Sequence, residues 1–249
     1  MGIKKTPTAS QFTAMETFAE IRRGFRSLSD AKRAQHSQRF FRTGAGEYGE
    51  GDVFLGITVP QTRKMVKQCG KLGQGEILHL LQSPYHEERL LAVLILVDRF
   101  KQDGQDQQNL IYQLYMKHKK FINSWDLVDL SAPNIVGTYL LDKDKSVLYQ
   151  MATSKSLWQR RMAIMATLAL IKQRRYDDTF KIAEILLDDG EDLIHKAVGW
   201  MLREVGKRDQ AVEERFLQAH YRRMPRTMLR YAIEKFAENR RQQYLKGTI

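Results

Sequence analysis

A pattern that recurs about every 35 residues is the feature of this sequence that most constrains its fold. The segment that begins at Ser83 runs from a polar turn into an apolar stretch, and the segment that begins at Ser154 repeats this course. A period of this length fits two antiparallel helices, which bury their apolar faces only by stacking on the next pair. The pattern therefore predicts a curved helical solenoid. The small residues that align from unit to unit are Ala92, Val128, Ala163, Ala197 and Ala232.

The rest of the sequence favours an all-α fold, because no segment shows the clean alternation of apolar and polar residues that is typical of strands. The glycines in residues 41–56 are too dense for a helix interior and predict an ordered loop. We expect a single repeat domain over residues 1–249. Residues 1–75 would hold the N-terminal helices and the glycine-rich loop, and residues 76–249 would hold the repeat array.

The charge of the chain points to a polyanionic partner. Forty-one Lys and Arg against 29 Asp and Glu give a formal net charge of +12. Such an excess favours nucleic acid, with an anionic membrane surface as the second choice. The longest apolar run, residues 90–97, is less than half the length that a membrane-spanning helix needs. Residues 1–10 lack the apolar core of a signal peptide, so we expect a cytoplasmic protein.

Metal and cofactor chemistry is disfavoured by composition. The single cysteine, Cys69, excludes an intramolecular disulfide and a cysteine cluster, and the six histidines show no paired ligand spacing. We therefore expect neither a metal site nor a cofactor.

Trp125 and Asp129 are the first candidates for chemistry, since residues four apart share one face of a helix. An isolated helix aspartate more commonly pairs with a neighbouring base. An indole beside it, however, offers a π surface that attracts cations, and the carboxylate adds a full negative charge. Trp200, two units further on, could converge on the same surface or could pack in the core. Trp158 precedes its helix and favours packing against a turn.

Basic residues recur in register with the repeat, which indicates either a solvated face or a continuous basic groove that contacts phosphates. We favour the groove. Its candidate DNA-binding residues are Arg160, Arg161, Lys196, Arg203, Arg226 and Arg230.

Four segments resemble the alkylation-repair DNA glycosylases of the AlkD type, and together they span most of the chain. They are FFRTGAGEYGEGDVFLGITVP at 40–60, SWDLVD at 124–129, WQRR at 158–161 and GWMLR at 199–203. The resemblance implies HEAT-like repeats wrapped around duplex DNA and an enzyme that removes cationic N3- and N7-alkylated purines without extruding the base into a deep pocket.

Matched motif by motif, the resemblance implies that Asp129 is the catalytic carboxylate, that Trp125 and Trp200 are the active-site tryptophans, and that Arg161 is the active-site arginine. The adjacent Arg160 leaves the phosphate contact ambiguous by one residue. The implied partner is duplex DNA with alkylated bases, in base excision repair at the nucleoid, with no obligatory protein partner. Two alternatives stay open: a non-catalytic DNA-binding protein of HEAT-like repeats, and a protein-interaction scaffold.

Overall fold

The fold is all-α, as the sequence predicts. A computed structural model describes residues 17–70 and 72–249, and these residues form fourteen α-helices. Within the same ranges the only strand-like pairing is one isolated parallel bridge between Val53 and Tyr85. This helical architecture agrees with a solenoid of HEAT-like repeats. The expectation for residues 1–10 lies outside the described residues.

The chain divides into two compact units, Met1–Asp98 and Arg99–Ile249. The prediction of a single domain over residues 1–249 stays a prediction. The described part of the first unit contains α1 (Phe18–Ser27), α2 (Ala31–Phe40), α3 (Val59–Val66), α4 (Gln74–Leu81) and most of α5 (His86–Gln102). The second unit contains α6 (Gln105–Lys117), α7 (Trp125–Ser131), α8 (Ser146–Ala152), α9 (Leu157–Lys172), α10 (Asp177–Ile185), α11 (Asp192–Gly206), α12 (Gln210–His220), α13 (Arg226–Ala232) and α14 (Glu238–Lys246).

The repeat inferred from the sequence coincides with alternate helices. The five aligned small residues fall in α5, α7, α9, α11 and α13, and each is 0% exposed to solvent. A small side chain lets two helices approach closely, so the same type of residue recurs wherever these helices pack. The aligned positions are Ala92, Val128, Ala163, Ala197 and Ala232.

In the second unit these helices form a continuous layer, in which α9 packs on α7 and α11, and α11 packs on α13. The approach of α11 to α13 depends on Gly199, because a Cβ atom there would overlap the carbonyl oxygen of Met228 and the side chain of Tyr231. Gly137 has the same role against Ala166 of α9. These contacts fix the spacing between the helices that carry the candidate residues.

In the first unit, residues 41–58 form the loop that the glycine density predicts. The buried carboxylate of Glu87 accepts hydrogen bonds from the backbone N–H groups of Leu55, Gly56 and Ile57, at 2.9, 2.9 and 3.2 Å. Gly56 has a φ of +78° and lies so close to Asp30 that a Cβ atom would overlap the backbone of α2. This buried side chain of α5 therefore fixes the C-terminal part of the loop, and Arg89 of the same helix pairs with Asp52 in its middle.

A buried acid in α12, Glu213, forms no ion pair with any residue that the structure describes. Glu213 is 1% exposed, packs against Gly206, and has one carboxylate oxygen without a hydrogen-bond partner among the described residues. Burial raises the pKa of Glu213 to about 9, the neighbouring Glu214 adds to the increase, and Arg203 opposes it. The folded protein therefore holds a proton on Glu213 at neutral pH.

We predict that Glu213→Gln stabilises the protein in a pH-dependent way. The pKa in the folded state lies above the unfolded value, so this carboxyl favours folding in acid and destabilises progressively as the pH rises from about 4.5 to about 9. Glutamine does not titrate. Urea unfolding at pH 8 should show a gain on the order of 1–2 kcal/mol, and the gain should vanish near pH 4.5. Glu238→Gln is the control, because the pKa of this exposed carboxyl lies below its ordinary value, and it should show no such gain at pH 8; a gain in Glu213→Gln that is independent of pH would contradict the assignment.

Candidate functional site

Helix α7 presents Trp125 and Asp129 one turn apart, as their spacing predicts. The helix begins after Ser124, whose backbone is extended, so Trp125 occupies the first helical position. It is short because Pro133 follows and continues the chain as a π-helical turn, Pro133–Gly137. The side chain of Asn134 donates to the carbonyl oxygen of Leu130 at 2.8 Å and stabilises this end. π-Helical turns of this kind are frequent at functional sites.

Asp129 occupies a position that the other repeats fill with buried apolar residues. It follows the small residue Val128 directly, and the residues that follow the other four small residues are all 0% exposed. A carboxylate at such a position is costly to bury unless it is paired, so its presence favours a function over packing. The equivalent residues are Val93, Ile164, Val198 and Ile233.

Arg161 of α9 pairs with Asp129 through two parallel hydrogen bonds. Its Nε donates to Oδ1 at 2.8 Å and its Nη2 donates to Oδ2 at 2.7 Å. The third nitrogen, Nη1, donates to the carbonyl oxygen of Leu193 in the first turn of α11. The side chains of Arg161 and Asp129 are only 5% and 13% exposed. One guanidinium group therefore connects three consecutive repeats and fixes the orientation of the carboxylate.

The structure distinguishes Arg160 from Arg161. Arg160 pairs with Asp189 at 2.6 Å and donates to the carbonyl oxygen of Ser154 at 3.0 Å. Its repeat equivalent, Arg89, likewise donates to a carbonyl oxygen six residues earlier, that of Ser83, and pairs with an aspartate. Arg160 thus serves the turn between two helices, and Arg161 is the arginine that contacts the candidate carboxylate.

Burial and neighbouring charges act on Asp129 in opposite directions. Burial raises the pKa of Asp129, and the carboxylate of Asp126 acts in the same direction. The guanidinium of Arg161 opposes this increase by its charge and by its hydrogen bonds. The pKa of Asp129 lies above its ordinary value as a result. Arg161 thereby limits how far burial favours the neutral acid.

The three tryptophans lie on three helices of the second unit, α7, α9 and α11. Trp125 and Trp200 are both half-buried, on α7 and on α11 of the same unit. The indole Nε1 of Trp200 donates to Glu204 Oε1 at 3.3 Å. Trp158 is half-buried in the first turn of α9. The participation of Trp125 and Trp200 in catalysis stays a prediction.

Most of the predicted DNA-binding residues take part in ion pairs. Besides Arg160 and Arg161, Lys196 pairs with Asp192 at 2.7 Å and Arg203 pairs with Glu234. On α13, Arg226 is exposed and donates to the carbonyl oxygen of Leu245, and Arg230 is exposed with no acid within ion-pair distance in the described residues. The phosphate contacts of all six residues stay predictions.

Two partners in this region escaped the sequence analysis. The carbonyl oxygen of Leu193 is a backbone atom, so no residue type signals its contact with Arg161. Glu204 carries a signal that could have been found, because it follows Trp200 by four residues and therefore shares its helix face.

No helix in the described part of the chain is long and apolar enough to cross a membrane. Across residues 17–70 and 72–249, no group of three or more His, Cys, Asp and Glu side chains is arranged to hold a metal ion.

We predict that the Asp129–Arg161 pair is not required for stability. Arg161→Leu alone should destabilise the protein by about 3–5 kcal/mol, since it leaves a buried carboxylate unpaired. Asp129→Val combined with Arg161→Leu introduces the residue types that α5 has at these positions, Val93 and Leu90, and should be as stable as the wild type or more stable by about 1–4 kcal/mol. Urea unfolding measures both. A double variant as unstable as Arg161→Leu would show that the fold itself needs the pair.

Comparison with known proteins agrees with this geometry. The family model of DNA alkylation repair enzymes matches residues 21–236. A solved structure, a predicted DNA alkylation repair enzyme from Enterococcus faecalis, shares the fold with a TM-score of 0.65 and 16% identity, over 85% of this chain and 98% of that chain. No curated protein matches the chain in sequence. Because the family model spans most of the chain, including α7, α9 and α11, the chain belongs to the family of DNA alkylation repair enzymes.

Proposed function

We propose that this protein is a DNA glycosylase that hydrolyses the N-glycosidic bond of cationic N3- and N7-alkylated purines in duplex DNA. One observation carries the proposal: a carboxylate, Asp129, occupies an apolar core position of the repeat and is oriented by two hydrogen bonds from Arg161. A carboxylate so placed costs packing energy, which favours a chemical role over a structural one. The family and the net charge of +12 support DNA as the substrate. Such an enzyme would act in the cytoplasm, at the nucleoid.

The chemistry needs only one carboxylate. Alkylation at N3 or N7 gives the purine a positive charge, so the base leaves with the bonding electron pair and becomes neutral without a general acid. As the bond from the purine nitrogen to C1′ breaks, positive charge develops on the deoxyribose. Asp129 would stabilise this charge and orient the water whose oxygen bonds to C1′. The water's proton passes to the carboxylate or to solvent.

Arg161 would keep the carboxylate ionised and correctly oriented for this step. Each of its three nitrogens donates a hydrogen bond to Asp129 or Leu193, which engages three of its five N–H groups. In this proposal its first task is therefore to hold Asp129. Exposed basic side chains, such as Arg226 and Arg230 on α13, would be better placed to contact the DNA backbone phosphates.

Trp125 and Trp200 would bind the cationic nucleotide through their indole faces. A cation over an indole ring is stabilised by about 0.5–2 kcal/mol, and more so where water is excluded. Selectivity would then depend on the charge and lability of the lesion. Damaged bases that carry no charge should be poor substrates.

Two other functions remain as outcomes of the experiments. In a non-catalytic DNA-binding protein, Asp129 and Arg161 would only join the repeats, and alkylated duplex would be bound without release of a base. In a protein-interaction scaffold, duplex DNA would not be bound in a manner that weakens steeply with rising salt.

We predict that Asp129→Asn abolishes most base release while DNA binding persists. The substitution removes the negative charge and retains the size of the side chain. Incubation with methylated duplex, without heating, should release 7-methylguanine and 3-methyladenine from the wild type. The variant should be slower by about 100-fold or more, as for loss of a transition-state charge.

Asp189→Asn is the matched control for this experiment. Asp189 also pairs with an arginine of α9, Arg160, and its side chain is 6% exposed, so the two substitutions cause comparable damage to packing. We expect base release to survive in Asp189→Asn. Equal release by the wild type and Asp129→Asn would remove Asp129 from the mechanism, and no release by the wild type would favour the non-catalytic alternatives.

We further predict that base release falls in acid at a higher pH than expected for an ordinary aspartate. Asp129 must be ionised to act, and its pKa is raised by burial. Protonation, and with it loss of activity, should therefore begin sooner as the pH falls. Single-turnover rates across the acid range, corrected for spontaneous depurination of the same DNA, test this. A rate that is flat down to the usual titration range of aspartate would contradict it.

A further inference from the structure

Trp200 belongs to a chain of hydrogen-bonded side chains, called here the polar ladder, along one face of α11 and the turn that follows. Its members are Trp200, Glu204, Lys207 and Arg208. Its Nε1 donates to Glu204 Oε1, one helical turn later. Glu204 is in turn bound by two cations: Lys207 Nζ donates to Oε1 at 2.5 Å and Arg208 Nη1 donates to Oε2 at 3.1 Å. The side chain of Glu204 is only 13% exposed. The indole N–H is thus hydrogen-bonded to a carboxylate whose two oxygens both accept hydrogen bonds from cations.

This hydrogen bond restricts the rotation of the indole ring. The terminal torsion of an aromatic side chain has a broad, roughly two-fold preference, so packing alone leaves two orientations of the ring available. Rotation of the ring by half a turn would move Nε1 away from Glu204 and break the hydrogen bond. Lys207 and Arg208 prevent Glu204 from following that movement. The ladder therefore selects one orientation of the face of Trp200.

We propose that Glu204 is a positioning residue for the lesion-binding surface, which consists of the indole faces of Trp125 and Trp200. Glu204 fixes the ring of Trp200 and places a negative charge beside it. The indole face is then oriented to bind a cationic nucleobase. The inference rests on the proposed function. Glu204 touches neither the reacting bond nor the catalytic carboxylate in this scheme, and it acts through Trp200.

The charge of Glu204 adds to its geometric effect. An anionic acceptor at the indole N–H increases the electron density of the ring, which strengthens the attraction for a cation over its face. Burial acts to raise the pKa of Glu204, but the hydrogen bonds from Lys207, Arg208 and Trp200 together hold it below its ordinary value. Glu204 is therefore ionised at neutral pH.

The experiment compares two substitutions at one position. Glu204→Gln keeps an oxygen that accepts the indole hydrogen bond but removes the charge, and Glu204→Leu removes both. Glu214→Leu is the control, because Glu214 pairs with Arg240 and Tyr244 and lies outside the proposed surface. Thermal unfolding of all three variants reports any general loss of stability.

A measurement on the free protein tests the positioning without catalysis. The chain has three tryptophans, so its ¹⁵N spectrum contains three indole N–H signals, and Trp200→Phe identifies the one that belongs to Trp200. We expect Glu204→Leu to shift this signal and to speed its hydrogen exchange. Glu204→Gln should keep the exchange slow. A signal that is unchanged in Glu204→Leu would overturn the proposal, whatever the enzyme does.

Enzyme kinetics test whether the position of Trp200 affects base release. We expect Glu204→Leu to lower kcat/KM for release of a cationic purine about tenfold, and Glu204→Gln about threefold, mainly by raising KM, with no change in Glu214→Leu. Combining Glu204→Leu with Trp200→Phe should cost no more than Trp200→Phe alone, because both remove the same element. Additive losses would show that Glu204 acts elsewhere and would overturn the inference. A wild type without base release would instead refute the proposed function, and the indole signal would still decide whether Glu204 positions Trp200.

Discussion

The bidentate ion pair between Asp129 and Arg161 is the interaction on which the candidate site depends. Each charge alone would be strongly destabilising at a buried helix interface, and only their mutual hydrogen bonds make the arrangement tolerable. The pair also spans repeats, since Asp129 lies on α7, Arg161 on α9, and the third hydrogen bond reaches Leu193 on α11. Any shift between these helices would therefore change the orientation of the carboxylate.

A helical repeat protein can accommodate such a pair with few further changes. Each repeat contacts only its neighbours, so an apolar residue can become a carboxylate where the next repeat supplies the partner. Asp129 replaces a residue equivalent to Val93 and Ile164, and Arg161 lies at the position of Leu90. The small residues that set helix spacing remain intact on both sides. The candidate site thus differs from the other repeats at only a few positions.

The sequence predicted the fold well because the constraint on it is local and periodic. A small residue is needed wherever two helices approach closely, and five such residues in register revealed the repeat. The ion pairs between helices were not predictable in this way, since they join residues about 30 positions apart and depend on side-chain direction. Neighbours such as Arg160 and Arg161 differ by only one residue, yet one serves a turn and the other meets Asp129. Only the three-dimensional structure distinguishes the partners of these two arginines.

The ion pairs also change what the net charge means for DNA. The formal charge of +12 counts every lysine and arginine. Several of these side chains, such as Lys196 and Arg203, already form ion pairs with carboxylates. Attraction to phosphates would therefore rest more on basic side chains that have no acid within ion-pair distance in the described part of the chain, such as Arg230 on α13. In the site itself the Asp129–Arg161 pair is neutral as a unit, so it offers little to an uncharged base. In the proposed reaction a cationic nucleobase would add the positive charge that the carboxylate stabilises, most strongly as that charge moves to the sugar. Discrimination between damaged and normal purines would then follow from charge, without a pocket shaped to the lesion.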